Sequence, residues 1–205
     1  MCRSECPEEL FKFKEFPPEF DEITVKTLLS LEQTQKEFWN IDRKSANLLN
    51  MLVKIKGAKN ILELGTSNGY SGIWLSKALK ETGGKLTTIE FWDKRLNVAV
   101  ENFEICGVND IIETHIGSAC TILAEMGSEG RKFDFVFIDA NKLEYVKYFA
   151  PIHPMLEVGG IMASDNVLSH ALKVKPFMDV ILNHDQYQSE MYPSEAGLLI
   201  SLKKY

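Results

Sequence analysis

From residue 60 onward, short apolar runs of strand length alternate with longer stretches of helical periodicity, and nothing else in the chain restricts its fold as strongly. Runs of about four to eight apolar residues, bounded by turn residues and separated by helix-length segments, predict parallel strands joined by crossover helices. The strand runs fall at 60–64, 85–90, 111–115, 133–139 and 160–164. Helical patterns fall between and after them, at 72–80, 94–106, 119–126, 144–156 and 172–183. Two further β-like runs, 187–192 and 198–202, flank Pro193-Ser-Glu-Ala-Gly197, a spacing that suits a hairpin and makes the last strand antiparallel to its neighbour. The expectation is an α/β fold, doubly wound, with a mostly parallel seven-stranded sheet and helices on both faces. Two N-terminal helices, 21–39 and 42–56, precede the sheet, and Pro7, Pro17 and Pro18 keep residues 1–20 irregular. This divides the chain into an N-terminal segment and helix (1–40), expected to serve as lid, substrate contact or dimer contact, and a main domain (41–205).

The 205 residues suffice for one such domain. No apolar run approaches the roughly 18–20 residues of a membrane span, and the N-terminus lacks an apolar signal core. The four cysteines, Cys2, Cys6, Cys106 and Cys120, are scattered, as expected of free thiols in a cytoplasmic protein. A net charge of −6 disfavours a nucleic-acid-coating surface, although Lys12, Lys14, Lys203 and Lys204 leave room for a local basic rim.

Two of the strand runs end in chemistry. Phe135-Val-Phe-Ile-Asp139-Ala-Asn-Lys142 and Gly159-Gly-Ile-Met-Ala-Ser-Asp165-Asn166 each finish in a carboxylate, and the second adds an amide. If the runs are neighbouring parallel strands, Asp139, Asp165 and Asn166 converge at one end of the sheet. Three hard oxygen donors suit Mg²⁺, Ca²⁺ or Mn²⁺ and leave positions open for a substrate. Lys142 lies three residues past the first carboxylate, within reach of whatever the cation holds. The competing reading of each acid alone is a helix cap.

The first core strand runs into Glu63-Leu-Gly65-Thr-Ser-Asn-Gly69-Tyr-Ser71-Gly72, a glycine-containing turn that opens a helix. Glycine permits the tight turn and a close backbone approach, and exposed amides at a helix start favour an anionic group. The spacing is neither the dinucleotide fingerprint Gly-x-Gly-x-x-Gly nor a phosphate loop. Glu90, 27 residues after Glu63, ends the next strand, where an acid can accept from both ribose hydroxyls. That placement is shared by NAD and S-adenosylmethionine sites. After the third strand, Ser118 is placed to border an adenine, although a turn followed by a helix cap looks the same.

Four segments in this order resemble the class I, Rossmann-like S-adenosylmethionine-dependent methyltransferases. More narrowly, they resemble the divalent-cation-dependent O-methyltransferases of the catechol and caffeoyl-CoA type. The segments are 61–71, 87–90, 133–142 and 159–167, and the resemblance runs from about Ile41 to Lys203. It implies S-adenosylmethionine as cofactor, with Asp139, Asp165 and Asn166 as metal ligands and Lys142 as the catalytic base. It also implies that Glu63, Gly65 and Ser71 hold the methionine end and Glu90 the ribose, with a backbone contact at Ile41 and further cofactor contacts at Ser118 and Asp139. Ala196-Gly197 stands where the family usually has Asp-Gly, and Ala46 where a glycine is common. Leu199 stands where an acid of catechol enzymes is expected to hold the second hydroxyl.

The implied reaction is metal-assisted methylation of a hydroxyl on a small aromatic acceptor. A tRNA-modifying enzyme on the same scaffold and a non-catalytic S-adenosylmethionine-binding protein are the alternatives. A homodimer is also implied, and Phe11, Phe13, Phe16 and Phe20 are expected to pack on a partner or to lid the site, core packing being the other possibility.

Overall fold

The computed structural model describes residues 14–205. The expectations for Cys2, Cys6, Phe11, Lys12 and Phe13 therefore lie outside the described residues. Seven strands form one sheet: β1 (Asn60–Leu64), β2 (Lys85–Glu90), β3 (Ile112–Ile116), β4 (Phe133–Ile138), β5 (Leu156–Ser164), β6 (Tyr187–Tyr192) and β7 (Leu198–Lys203). Their order is β3-β2-β1-β4-β5-β7-β6, with β7 antiparallel to both neighbours and every other pairing parallel. The hairpin thus does not simply extend the sheet, because β7 inserts between β5 and β6.

Strand side chains alternate between two apolar layers, as sheets covered on both faces require. Ile61, Phe135 and Phe137 face the helices α1 (Glu22–Glu32), α3 (Arg43–Lys56), α4 (Tyr70–Thr82) and α5 (Asp93–Ile105). Leu62, Leu64, Val136 and Ile138 face α6 (Ala119–Ser128), α7 (Tyr145–Met155) and α8 (Ala171–Leu182). Among the described residues, no helix is long and apolar enough to cross a membrane.

Three elements depart from the sequence reading. The helix expected over 21–39 is broken: α1 stops at Glu32, and a four-residue helix α2 (Gln35–Phe38) follows. The Leu31 carbonyl accepts from Thr34 Oγ1 (2.7 Å) and Asn40 Nδ2 (2.9 Å), and Trp39 ends α2 in the left-handed region at φ 57°. Strand β5 starts at Leu156 rather than residue 160, because Gly159 (φ 73°) forms a bulge through which the ladder with β4 resumes at Phe135 and Ile161. A side chain on Gly160 would meet the Glu157 carbonyl at 2.7 Å, so glycine makes the bulge possible. Helix α4 begins two residues early, at Tyr70, directly on Gly69 (φ 85°).

Of the described N-terminal aromatics, Phe20 is in the core and Phe16 packs against it. Phe16 stacks on Trp74 at 5.6 Å between centroids, Phe20 lies at 4.9 Å from the same ring, and the Arg43 guanidinium covers Phe16 at 4.6 Å. Phe20 is buried and Phe16 partly buried against the fully buried Trp74. Lys203 likewise cannot belong to a rim at the carboxyl ends of the parallel strands. It is buried at the opposite end of antiparallel β7, donating to the carbonyls of His153 (2.7 Å) and Leu156 (2.8 Å).

Candidate active site

The carboxyl ends of β1, β2, β4 and β5 lie side by side, and each carries a candidate residue at the same edge of the sheet. This is where ligands bind in open α/β sheets. Gly65 adopts φ 98° and lies so close to the end of β4 that a Cβ would overlap the Asp139 carbonyl oxygen. Only glycine lets the first loop touch the segment that carries Asp139, so the two halves of the site meet there.

At the β4–β5 side, Asp139 accepts from Lys142 Nζ at 2.7 Å, with both side chains mostly buried. Asp165 is 2% exposed, and its Oδ1 is buried with no hydrogen-bond partner. Burial, followed by the charge of Asp139, pushes the Asp165 carboxyl well above the usual carboxylate range. Asn166 holds a left-handed backbone (φ 62°) and turns its Nδ2 to Ser169 Oγ at 3.3 Å, leaving the amide oxygen for another role. An orphaned, buried carboxylate oxygen beside a second carboxylate and an amide oxygen fits a hard divalent cation, which would relieve the repulsion between the two acids. Among the described residues, no three His, Cys, Asp or Glu side chains group as metal ligands. The candidate set therefore reaches three donors only through the Asn166 amide.

Tyr145, which the sequence reading passed over, ties these strand ends together. It is fully buried, and its hydroxyl lies 3.2 Å from the carbonyl of Ile138 and 3.2 Å from that of Asp165. A tyrosine opening a helix after a strand has no local signature of such a role. The Ala196-Gly197 pair also acts through its backbone. The Gly197 carbonyl accepts from Val167 N, and the Ala196 carbonyl from Leu168 N and Ser169 N, so an aspartate at 196 is not needed to hold the Asn166 loop.

At the β1–β2 side, Glu63 is completely buried, accepting from Ser71 Oγ and Thr88 Oγ1, each at 2.6 Å. Burial raises its carboxyl to about 7, despite both hydrogen bonds. It therefore meets the crevice only through Ser71, which is 8% exposed. Glu90 accepts three backbone N–H groups, from Ser67 (2.8 Å), Phe91 (2.9 Å) and Trp92 (2.9 Å). A carboxylate offers about four lone-pair sites, so acceptor capacity remains for a ligand hydroxyl. Gly117 N donates to the Glu90 carbonyl at 2.8 Å, which brings Ser118 beside Glu90. Ser118 stands at the start of α6 without capping it, so its hydroxyl is not committed there. Ile41 is buried and precedes Asp42, whose carboxylate caps α3 by accepting from Ser45 N at 3.0 Å.

Leu199, read as standing where an acid is expected, is a core residue. It is 2% exposed, paired with Ser164 across β5, and packed in the apolar layer with Val167, Val174 and Phe177. It presents no face to an acceptor and does not substitute for a substrate-binding acid. Exposed apolar side chains close in sequence to the candidate site residues include Leu143, Leu168 and Leu172 and, directly after Glu90, Phe91 and Trp92.

Six parallel strands with one inserted antiparallel strand, and acids at the ends of β1, β2, β4 and β5, define a Rossmann-like methyltransferase fold. The family model for O-methyltransferases matches residues 18–188, and the chain belongs to that family. It is 34% identical over 149 residues to a catechol O-methyltransferase of Niastella koreensis, covering 72% of this chain and 67% of that protein. It is also 34% identical over 150 residues to caffeoyl-CoA O-methyltransferase 1 of Eucalyptus globulus, covering 71% of this chain and 61% of the relative. The chain thus spans roughly three-fifths to two-thirds of these relatives' length. The O-methyltransferase of Bacillus cereus, solved with S-adenosylhomocysteine, superposes with a TM-score of 0.81 at 27% identity, covering 90% of this chain and 91% of that one. TomG of Streptomyces achromogenes, solved with S-adenosylmethionine, gives 0.78 at 28% identity over the same shares of the two chains.

Proposed function

We propose that the protein transfers a methyl group from S-adenosylmethionine to a hydroxyl of a small aromatic acceptor, with a divalent cation such as Mg²⁺ held by Asp139, Asp165 and Asn166. The single observation that carries this reading is the buried, unpartnered Asp165 Oδ1 set beside Asp139. Supporting it are a lysine 2.7 Å from Asp139 and a crevice that continues to Ser71 and Glu90.

The cation would supply positive charge beside the acceptor oxygen, favouring its ionised form. S-Adenosylmethionine would supply the methyl on a sulfonium sulfur. The chain's part is to bind, orient and move one proton. Lys142 acts as base only in its uncharged form, so its ion pair with Asp139 must open and its ammonium proton must first pass to solvent. It then takes the acceptor's hydroxyl proton. The oxygen–methyl bond forms as the carbon–sulfur bond breaks, and the electron pair remains on sulfur as a neutral thioether. Holding both reactants in line supplies much of the rate. Leu143, Leu168 and Leu172 offer apolar surface to an aromatic ring.

The test is to incubate the protein with S-adenosylmethionine and Mg²⁺ against vicinal diphenols, hydroxylated flavonoids and undermodified tRNA, following S-adenosylhomocysteine release. Turnover of a diphenol or flavonoid that EDTA abolishes is expected. Turnover of tRNA alone, or full activity in EDTA, would overturn the reading.

A further inference from the structure

Residues 34–39 lie against the loop that follows β1, and little apolar burial holds them there. Helix α2 contains no buried residue, and Trp39, which ends it, is 71% exposed. Polar and ring contacts do the holding instead. The Phe38 carbonyl accepts from Ser67 Oγ at 2.8 Å, and Thr34 Oγ1 accepts from Asn68 Nδ2 at 3.3 Å. From the other side, Arg95 in the first turn of α5 grips the same residues. Its Nη2 donates to the Glu37 carbonyl at 3.1 Å, and its guanidinium lies over the rings of Trp39 at 4.6 Å and Phe38 at 5.6 Å. A segment with few buried contacts opens at low free-energy cost, so the loss of one such grip changes how often it is open.

Ser67 connects this segment to Glu90. Its backbone is left-handed (φ 50°), as is that of Trp39 (φ 57°), and neither residue is glycine. Such a conformation persists only where the surroundings fix it. The Ser67 hydroxyl is held by Phe38, while its N–H donates to Glu90 Oε2 at 2.8 Å. The N–H groups of Phe91 and Trp92 take Oε1, each at 2.9 Å. The orientation of the Glu90 carboxylate therefore depends on Ser67, the conformation of Ser67 on Phe38, and the place of Phe38 on Arg95.

We propose that Arg95 is a positioning residue for cofactor binding, the latch that holds residues 34–39 as a strap against the loop beside Glu90. The inference rests on the reading of Glu90 as the ribose acid of an S-adenosylmethionine site. Arg95 acts through Phe38 and Ser67 and need not touch the ligand. The cofactor enters while the strap is open and is retained while it is shut. Removing the latch lowers the closed fraction, and the apparent dissociation constant rises in inverse proportion. That loss falls on the dissociation rate, because an unlatched strap does not obstruct entry.

The experiment measures association and dissociation of S-adenosylmethionine with the full chain by stopped flow, with calorimetry for the affinities and circular dichroism to show that each variant is folded. Trp92, next to Glu90 in the chain, supplies intrinsic fluorescence in every variant. Arg95→Ala should raise the dissociation rate about tenfold, as expected for the combined loss of a charge-assisted hydrogen bond and a cation–π contact. Association should be unchanged or faster, which a merely disordered site would not give. Trp39→Ala should cost less, since the Glu37 carbonyl keeps its donor. The double variant should be no worse than Arg95→Ala alone, because both changes remove one latch. Arg95→Lys, which keeps a cation and a donor, should recover part of the loss. An unchanged dissociation rate in Arg95→Ala, a slowed association, or additive losses in the double variant would overturn the latch and leave the cofactor reading intact. No binding by the unmodified protein would instead overturn the cofactor reading, and the latch with it.

Discussion

The Nζ of Lys142 lies 2.7 Å from Oδ1 of Asp139, so the proposed base and a proposed metal ligand neutralise each other three residues apart. The ion pair holds the Lys142 side chain at the candidate site. Lys142→Met should therefore lower the rate of methyl transfer by about 10²–10⁴-fold, the usual range for loss of a general base. S-Adenosylmethionine affinity should change little, because the lysine lies on the acceptor side. Single-turnover rates and calorimetry on the same preparation check both halves.

Asp165→Asn should act in opposite directions on stability and activity. Without metal it removes a buried carboxylate whose Oδ1 has no partner and which faces the charge of Asp139. The metal-free protein should gain on the order of 1–3 kcal/mol in urea unfolding. Methyl transfer should fall to background, and the stabilisation that Mn²⁺ confers on the unmodified protein should be lost. A variant less stable than the parent without metal would show that Asp165 has a partner already.

Tyr145→Phe should loosen the cation site without touching it. The Ile138 carbonyl keeps a second donor, Asp165 N at 2.9 Å, so the main loss is at the Asp165 carbonyl. That predicts a stability cost of about 1 kcal/mol, at the lower end for a buried acceptor left unmatched. Mn²⁺ binding, followed by electron paramagnetic resonance, should weaken severalfold. Unchanged Mn²⁺ affinity would reduce the tyrosine to a packing role.

Leu199→Glu should destabilise the protein rather than improve its use of catechol. The side chain is 2% exposed and belongs to the apolar layer that includes Val167, Val174 and Phe177. An uncompensated buried charge costs about 3–5 kcal/mol. Thermal melting should show a large downward shift, and any retained activity should show no change in which acceptor oxygen is methylated.

What was legible in the sequence was local. Strand runs ending in Glu63, Glu90, Asp139 and Asp165 announced both the sheet and the edge of it at which the candidate residues gather, because strand period and strand end are written in consecutive residues. The irregular backbone at Pro17-Pro18 and the Gly65 turn were legible for the same reason. The aromatic Phe16 and Phe20 were not, since an apolar side chain reads the same whether it meets a partner or its own Trp74.

The sequence by itself determined the alternating α/β plan, the antiparallel last strand, and which acids could stand at the crevice. Only the tertiary structure decided that β7 enters between β5 and β6 and that Leu199 faces the core. It alone decided that Tyr145 bridges two strand ends, and that Thr66 and Thr88 lie behind Glu63. Each of these depends on which residues from distant parts of the chain become neighbours. Hydrogen bonds of 2.6–3.2 Å between residues 7–25 positions apart leave no periodic trace along the chain.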